Sequence, residues 1–262
     1  MTAYEDVLYE TRNGVCWITI NRPERYNAFR MQTIDDLISA FRRAWGDREA
    51  GAVVLTGTGE KAFCAGGDQK ERYEHGSYGD HPIGEAEVYT LHRLMRDLPK
   101  PTIAAVNGFA IGGGHILHVI CDVSIAAEHA RFGQAGPRVG SFEAGLGAGY
   151  LARVVGEKRA REIWFLCDQY DAVTAERWGL VNKVVPLADL HAAAQEWGEK
   201  MAALSPTALK FLKHAFNADT EAIAGIGRVA YDGFEAYKGS DESKEGNAAF
   251  AEKRPPDFRP YR

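Results

Sequence analysis

The stretch TIAAVNGFAIGGGHILHVICDVSIAA, which covers residues 102–127, carries the clearest structural signal in the chain. It begins and ends with short apolar runs, 102–106 and 123–127, and both runs predict buried strands. Between them, a glycine cluster opens a predicted helix near residues 112–120. Strand, helix and strand at this spacing predict a βαβ crossover, so we expect an α/β fold.

The flanking sequence extends this pattern in both directions. Upstream, residues 15–20 and 52–56 predict two more strands, and apolar residues at three- and four-residue spacing predict a helix over 31–45. Residues 70–85 are polar and glycine-punctuated, so they predict a loop. Downstream of Gly145 one short strand is predicted at 183–185, and the other patterns are helical, at 157–167, 187–204, 206–217 and 221–237. The chain therefore divides into a predicted α/β core, 1–200, and a helical C-terminal region, 201–262.

Net charge, hydropathy and cysteine spacing indicate the class of protein and its cellular compartment. The net charge of -5 provides no general basic field, which argues against nucleic acid as a partner. The start has no leader pattern and no apolar run is long enough to cross a membrane, so a cytoplasmic protein is expected. Four cysteines are far apart in sequence and form no C-x-x-C pair, which predicts free thiols in a reducing compartment, at Cys16, Cys64, Cys121 and Cys167.

Two glycine-rich turns each follow a predicted element of the core. The first is AFCAGGD, residues 62–68, and the second is NGFAIGGG, residues 107–114. Glycine lets a ligand approach the backbone closely, and N–H groups at the start of a helix carry partial positive charge. Together the turns could bind an oxyanion. Neither fits a dinucleotide-binding or Walker pattern.

This pair of turns resembles the crotonase (enoyl-CoA hydratase/isomerase) superfamily, and the resemblance runs nearly end to end. It also includes INRP at 20–23 with Asn27-Ala28, Lys100-Pro101 and Cys121-Asp122. The resemblance implies a ClpP-like crotonase fold, in which a spiral of repeated ββα turns precedes C-terminal helices that build a homotrimer or a hexamer. It also implies an acyl-CoA substrate, whose thioester carbonyl is polarised by the backbone N–H groups of Gly67 and Gly113.

The chain departs from the hydratases of this superfamily at two positions. Hydratases carry one glutamate after the second glycine turn and another after the next strand, where this chain has Ile116 and Gly136. Without that pair of carboxylates, water cannot be activated and delivered in the way that simple hydration requires.

Two further segments, 132–143 and 160–167, resemble a subgroup that contains 2-ketocyclohexanecarboxyl-CoA hydrolase and 1,4-dihydroxy-2-naphthoyl-CoA synthase. The C-terminal sequence looks closer to the hydrolase, at 205–209, 216–220 and 241–246. Ring-opening hydrolysis of a cyclic β-ketoacyl-CoA is therefore the expected activity. The alternatives are ring closure by a synthase, and a non-catalytic homologue that binds CoA or RNA.

The resemblance also assigns candidate catalytic residues. The subgroup's Ser-x-Asp pair corresponds to Ser141 and Glu143, so the carboxylate is kept one methylene further out. The C-terminal tyrosine of the subgroup aligns with Lys238, and Tyr237 lies next to it, so both are candidates for the proton donor. In the expected mechanism Glu143 activates water, and the two glycine N–H groups hold the resulting thioester enolate.

Substrate-binding candidates follow from the same comparison. Gln134 and Trp164 match residues that hold bicarbonate in some synthases, but Ala135 replaces their threonine, so no cofactor is expected beyond the CoA of the substrate. The remaining candidates surround the first turn or carry positive charge for the CoA phosphates, and they are Arg25, Ala65, Gly66, Asp68, Lys70, Tyr78, Gly112 and Lys253. His115 and His118 have no recognisable third partner, so no metal site is expected.

Overall fold

A computed structural model describes residues 4–79 and 87–262. Strands occupy β1 (Val7–Arg12), β2 (Val15–Ile20), β3 (Ala52–Gly57), β4 (Ala62–Cys64), β5 (Thr102–Val106), β6 (Phe109–Ile111), β7 (Val123–Ala127), β8 (Arg131–Gly133), β9 (Gln169–Asp171) and β10 (Lys183–Val185). Helices occupy α1 (Met31–Gly46), α2 (Gln69–His75), α3 (Val88–Asp97), α4 (Gly113–Ile120), α5 (Leu151–Val155), α6 (Glu157–Leu166), α7 (Ala172–Arg177), α8 (Leu190–Ala202), α9 (Pro206–Ala218), α10 (Glu221–Tyr237) and α11 (Asp241–Ala251).

The strands form two sheets. The larger has the order β1-β2-β3-β5-β7-β10, and the smaller has the order β4-β6-β8-β9. Pairing is parallel in both except at β1–β2 and β8–β9. The successive pairs β3–β4, β5–β6 and β7–β8 each give one strand to each sheet, so the chain winds as a spiral of ββ turns separated by helices. The α/β prediction is confirmed.

The core lies on both faces of the larger sheet because its strands are buried on both sides. Along β3, Val53 and Leu55 face the cluster that contains α1, α3 and α4, whereas Val54 faces the cluster that contains α8. The amphipathic α1 contributes Ile34, Leu37 and Phe41 to the first cluster, each at most 1% exposed. Helix α4 packs in the same cluster through Ile116, Leu117 and Val119.

The C-terminal helices attach to the core through a buried charge. Lys213 of α9 donates hydrogen bonds from Nζ to Asp122 Oδ2 at 2.8 Å and to the carbonyl oxygen of Lys100 at 3.0 Å. The outer faces of α9 and α10 remain apolar and exposed, most clearly at Phe211, Phe216 and Val229, which are 69%, 76% and 71% exposed.

Most of the predicted elements are present, and two predictions need correction. The predicted loop over 70–85 begins as helix α2, which Asp68 caps by accepting a hydrogen bond from the Glu71 N–H; residues 80–85 of that prediction lie outside the described residues. Downstream of Gly145 there is a second strand, β9, which pairs with β8 in the smaller sheet. The proposed domain boundary at residue 200 falls inside α8.

Across the two described ranges, the helices are all too short or too polar to cross a membrane.

Candidate active site

The two glycine-rich turns meet where the two sheets are connected. Gly66 has a φ of +86°, and a β-carbon there would lie 2.9 Å from the Ile111 carbonyl oxygen and 3.0 Å from the Gly113 nitrogen. A side chain would therefore push the turns apart. Phe29 fixes the first turn from the other side, since its N–H donates to the Gly66 carbonyl at 2.8 Å and its carbonyl accepts from the Asp68 N–H at 2.8 Å.

The predicted oxyanion donors come together at this contact. Gly67 follows the first turn, and Gly113 is the first residue of α4, where a backbone N–H has no acceptor within the helix. In the described chain, neither N–H donates a hydrogen bond to a protein acceptor. Both glycines line the same cavity. Two N–H groups are thus available to a ligand oxygen.

Aromatic rings pack over both glycines and restrict the approach to them. A β-carbon on Gly67 would lie 2.9 Å from the hydroxyl of Tyr78, and one on Gly113 would lie 2.6 Å from the ring of Phe29. The Tyr78 hydroxyl accepts a hydrogen bond from Gln69 Nε2 at 3.2 Å, so its own hydrogen remains available. A phenolic donor therefore lies beside the Gly67 N–H.

The cavity encloses about 500 Å³, enough for an acyl group and the arm that carries it. Its wall is mostly apolar, with a few polar groups. Ten of the predicted site residues line it: Ala65, Gly66, Gly67, Tyr78, Gly112, Gly113, Gln134, Ser141, Glu143 and Trp164. The cavity therefore brings both glycine turns together with the Ser141–Glu143 segment.

Glu143 is the only carboxylate that lines this cavity in the described part of the chain. Its Oε1 accepts from the Gly145 N–H at 3.0 Å, and its Oε2 accepts from the Gly147 N–H. Burial raises the pKa of Glu143 to about 7, against the opposing effect of the N–H groups of Gly147, Gly145 and Leu146. A carboxyl group with this pKa can take and return a proton near neutral pH.

Trp164 holds the segment that follows Glu143. Its Nε1 donates to the Gly147 carbonyl at 2.9 Å, and its ring lies 3.1 Å from the position of a β-carbon on Gly136. The same position on Gly136 is 2.6 Å from the Ser141 carbonyl oxygen. A glutamate at 136, which hydratases carry, would therefore collide with the loop that bears Ser141 and Glu143.

The structure places neither C-terminal proton-donor candidate on the cavity wall. Tyr237 packs its ring against Phe142, with 5.4 Å between centroids, and its hydroxyl interacts with Glu242. Lys238 forms an ion pair with Glu235. The cavity residues of α10 are instead Ala230, Tyr231 and Phe234, one to two turns earlier.

The remaining CoA-binding candidates also lie off the cavity wall. Asp68 is 4% exposed, and besides capping α2 it pairs with Arg22 NH2 at 3.2 Å, so it has a structural function here. Lys70 pairs with Glu74 at 3.7 Å, and both Arg25 and Lys253 are exposed.

A second cavity of about 530 Å³ borders the first and shares Tyr26 and Phe109 with it. Its wall contains three basic side chains, Lys61, His129 and Arg131, with Glu60 as the acidic neighbour. The sequence analysis missed all three because they are isolated in sequence. Lys61 directly precedes β4, and Arg131 is the first residue of β8. The strands of the smaller sheet are parallel from β4 to β8, so their starts lie along one edge, and this pairing was not predicted from the sequence.

Sequence reasoning also missed the apolar part of the wall. Phe29 belongs to the NAF segment after β2, and Phe234 and Phe250 come from α10 and α11. Helical periodicity counted back from residue 237 would have reached Phe234.

The two histidines of α4 lie apart from the cavity surface. His115 and His118 are fully buried, with ring centroids 5.0 Å apart. The described residues contain no group of three side chains that could hold a metal ion. All four cysteines are buried and free.

Comparison with known proteins agrees with this geometry. The family model of enoyl-CoA hydratase/isomerase matches residues 10–260. An enoyl-CoA hydratase from Mycobacterium avium subsp. paratuberculosis is 28% identical, with a TM-score of 0.86 over 98% of this chain and 99% of that chain.

Two further solved structures give the same result. An enoyl-CoA hydratase/isomerase from Pseudoalteromonas atlantica is 29% identical, with a TM-score of 0.84 over 97% of this chain and 100% of that chain. An enoyl-CoA hydratase from Bacillus anthracis is 31% identical, with a TM-score of 0.75 over 97% of this chain and 98% of that chain.

These comparisons confirm the crotonase fold and the superfamily, while the ring-cleaving subgroup stays a prediction. The match covers nearly the whole chain, and the cavity between the two glycine turns has two N–H groups without a protein acceptor among the described residues. The chain belongs to the enoyl-CoA hydratase/isomerase family.

Proposed function

We propose that the protein is a ring-opening hydrolase of a cyclic β-ketoacyl-CoA, such as 2-ketocyclohexanecarboxyl-CoA. The observation that carries this proposal is Glu143, whose pKa is about 7 and which is the one carboxylate that lines the cavity among the described residues. The same cavity holds two N–H groups that have no protein acceptor in the described chain. A hydrolase of this kind needs one base for water and one oxyanion site for the leaving enolate. It does not need the second carboxylate of the hydratases, whose positions are occupied by Ile116 and Gly136.

In the proposed reaction, Glu143 takes a proton from water while the water oxygen attacks the ring ketone. The bond between the ketone carbon and the α-carbon then breaks, and its electron pair forms the thioester enolate. The N–H groups of Gly67 and Gly113 stabilise the enolate oxygen. A proton returns to the α-carbon, and the former ketone leaves as a free carboxylate on an open-chain acyl-CoA.

Tyr78 is the better placed donor for that last proton. Its hydroxyl lies beside Gly67 with its hydrogen available, whereas Tyr237 and Lys238 lie behind Phe142 or outside the wall. Ser141 lines the cavity two residues before Glu143, where its hydroxyl could orient the attacking water.

The CoA nucleotide is proposed to lie over the second cavity. Lys61 and Arg131 supply positive charge for phosphates, and the ring of Tyr26 at the border of both cavities offers a stacking surface for the adenine. No cofactor other than the substrate's CoA, and no bicarbonate, belongs to this proposal.

A homotrimer, or a hexamer made of two trimers, is also proposed, with a cytoplasmic location. The exposed apolar faces of α9 and α10 support association, since patches of this kind are usually covered by a partner. Light scattering after size-exclusion chromatography tests it, and a monomer at micromolar concentration would contradict it.

The test of the activity uses ¹⁸O-labelled water. Purified protein is incubated with 2-ketocyclohexanecarboxyl-CoA, and acyl-CoA products are followed by mass spectrometry. Labelled pimeloyl-CoA, absent with the Glu143→Gln variant, is the expected result. No turnover of this compound, or of larger cyclic β-ketoacyl-CoA compounds, would contradict the proposal.

Glu143 also supports a second candidate function. One base near a thioester enolate is sufficient to move a proton from the α-carbon to the γ-carbon of an unsaturated acyl-CoA, which shifts a double bond. Incubation of a 3-enoyl-CoA in deuterated water distinguishes this isomerisation, because the product would be a 2-enoyl-CoA of equal mass apart from exchanged deuterium.

A further inference from the structure

One ionisable side chain of the cavity wall has no function in the mechanism proposed so far. His92 of α3 lines the cavity between the two glycine turns (the acyl cavity), and it is 3% exposed. Its ring nitrogen Nε2 is shielded from solvent and has no hydrogen-bond partner among the described residues. Nδ1 also has no partner there, but it is not shielded in this way. Nδ1 is therefore the polar atom that this side chain presents to the cavity.

The ring is neutral, and its one hydrogen is expected on Nδ1. Burial lowers the pKa of His92 to about 4, so the ring carries a single hydrogen at neutral pH. Buried N–H groups without an acceptor are rarer in folded proteins than buried acceptors without a donor, which disfavours a hydrogen on Nε2. On Nδ1 the same hydrogen can bind an oxygen in the cavity. His92 thus offers the cavity an uncharged N–H group.

The neighbouring cavities show which part of a ligand His92 would meet. The second cavity, proposed for the CoA nucleotide, borders the acyl cavity at Tyr26 and Phe109. A small pocket of about 40 Å³ borders the acyl cavity elsewhere, and Val88 lines both. Val88 and His92 are four residues apart and lie on the same face of α3. We therefore expect the acyl group, and not the nucleotide, to contact His92.

Contacts through α10 place this stretch of α3 beside the loop of the proposed base. Tyr89 lies one turn before His92, and a β-carbon on Gly227 would be 3.1 Å from its ring. A β-carbon on Gly145 would in turn be 2.5 Å from the Gly227 α-carbon and 2.7 Å from Glu143 Oε1. Helical side chains lean toward the start of their helix, so His92 covers the turn that contains Tyr89. His92 and Glu143 therefore line neighbouring parts of the cavity wall.

The proposed ring opening develops negative charge on two oxygens in succession. When water adds to the ring ketone, the π-electron pair moves onto the ketone oxygen and forms an alkoxide. When the carbon–carbon bond then breaks, the alkoxide becomes part of the new carboxyl group, and the charge passes to the thioester oxygen. The N–H groups of Gly67 and Gly113 are assigned to the thioester oxygen. The alkoxide needs a donor of its own.

We propose that His92 is a catalytic residue whose Nδ1–H donates a hydrogen bond to the ring-ketone oxygen of the acyl group and to the alkoxide that water addition forms from it. The ring stays neutral throughout, so the proton of the attacking water goes to Glu143. A keto oxygen at this place should also strengthen binding before any reaction. The inference rests on the proposed ring-opening function for its kinetic consequence only.

The first experiment measures binding and needs no turnover. The Glu143→Gln variant is titrated with 2-ketocyclohexanecarboxyl-CoA and with cyclohexanecarboxyl-CoA, which lacks the ketone. We expect the keto compound to bind about three- to tenfold more tightly, the effect of one hydrogen bond, and to lose this advantage when His92→Leu is added. With a ¹³C-labelled ketone, the infrared band of the bound ketone should move to lower wavenumber only when His92 is present. An advantage that is missing, or that survives His92→Leu, would overturn the proposal.

The second experiment uses matched substitutions that separate a donor from a packing group. His92→Asn keeps an N–H group near the position of Nδ1, and His92→Gln places one near Nε2. We expect His92→Leu to lower kcat for ring opening about 100- to 1,000-fold, the effect of one lost oxyanion donor. His92→Asn should recover much of this loss and His92→Gln little. His92→Leu should not lower the temperature of unfolding, because it removes buried nitrogens that have no protein partner.

His118→Leu is the control, because His118 is fully buried, lies off the cavity wall and has Nδ1 3.1 Å from Ser124 Oγ. It should leave the ketone advantage and kcat nearly unchanged while it lowers stability. Ring opening with a kcat that His92→Leu leaves intact would refute the role of His92 and retain the hydrolase. A ketone advantage that depends on His92, without any ring opening, would contradict the hydrolase and retain His92 as the ketone-binding residue.

Discussion

The carboxylate of Glu143 lies next to the side chain of Ile116, and a β-carbon on Gly147 would collide with both. Ile116 occupies the position at which hydratases of this family carry a glutamate. In this chain the carboxylate beside Ile116 comes from the loop after Ser141. In the proposed mechanism the acid/base group therefore belongs to that loop and not to α4.

The pH dependence of activity should follow Glu143. Because the pKa of Glu143 is raised to about 7, the base form is present above that pH and is lost below it. The kcat/KM of the proposed hydrolysis should therefore rise with pH through about 7 and level off above. A profile that is flat between pH 6 and 8 would show that Glu143 is not the base.

The same shift predicts an effect on stability. A carboxyl group whose folded-state pKa lies above its ordinary value of 4.5 favours the folded state when protonated, and that contribution is lost as pH rises toward 7. Relative to wild type, Glu143→Gln should gain free energy of unfolding between pH 4.5 and 7, with a constant difference outside this window. Urea denaturation of both proteins at several pH values measures it.

Gly147→Ala should disable the site while the fold remains. The added β-carbon would displace the Glu143 carboxylate from its N–H donors, so we expect a loss of at least about tenfold in kcat/KM, the effect of more than one hydrogen bond. Gly225→Ala is the control, because a β-carbon there meets nothing within 4 Å on α10. It should leave activity unchanged and raise stability by about 0.5–1 kcal/mol. Circular dichroism melting distinguishes the two.

Asp68 should contribute to the stability of the fold and have little effect on the affinity for CoA. Asp68→Ala removes the cap of α2 and leaves Arg22 buried without that partner, which is expected to cost about 3 kcal/mol of unfolding free energy. Asp68→Asn keeps a capping oxygen and should cost less. Calorimetric titration with CoA at a temperature where the variants are folded should give unchanged affinity, and a large loss would restore Asp68 as a CoA contact.

The cations of the second cavity should contribute to CoA affinity. Lys61→Ala is expected to raise the KM for acyl-CoA severalfold and to make it less sensitive to salt, since a phosphate contact is lost. Lys70→Ala is the matched control, because Lys70 is an exposed lysine already paired with Glu74. Equal effects of both substitutions would place the phosphates elsewhere.

The parts of the fold that could be predicted are those with a local signal. Strands at 102–106 and 123–127 are continuous apolar runs, and α1 shows clear helical spacing over its whole length. The strands of the smaller sheet could not be predicted because three residues, as in 131–133 or 169–171, show no periodicity. They are defined by their partners in space.

The residues of the candidate site also divide into those with a local sequence signal and those without one. Each glycine-rich turn is visible within one segment of sequence, and the family resemblance then assigns Gly67 and Gly113 within these turns. Tyr237 does not line this cavity, since the register of α10 depends on its packing, and its role as a proton donor stays a prediction. Gly227 of α10 approaches Gly145, where a β-carbon would lie 2.5 Å from the Gly227 α-carbon, and that contact turns Tyr231 and Phe234 toward the cavity.

Arg72 also links distant parts of the chain, because its guanidinium donates to the Gly140 carbonyl at 3.1 Å and to Ser243 Oγ at 2.6 Å. Gly246 packs so closely on Gly140 that a β-carbon there would lie 2.7 Å from the Gly140 α-carbon. The loop that carries Ser141 and Glu143 is therefore supported by α11. During translation, the loop that carries Ser141 and Glu143 lacks this support until α11 has emerged from the ribosome, so we expect a nascent chain to stay inactive until then.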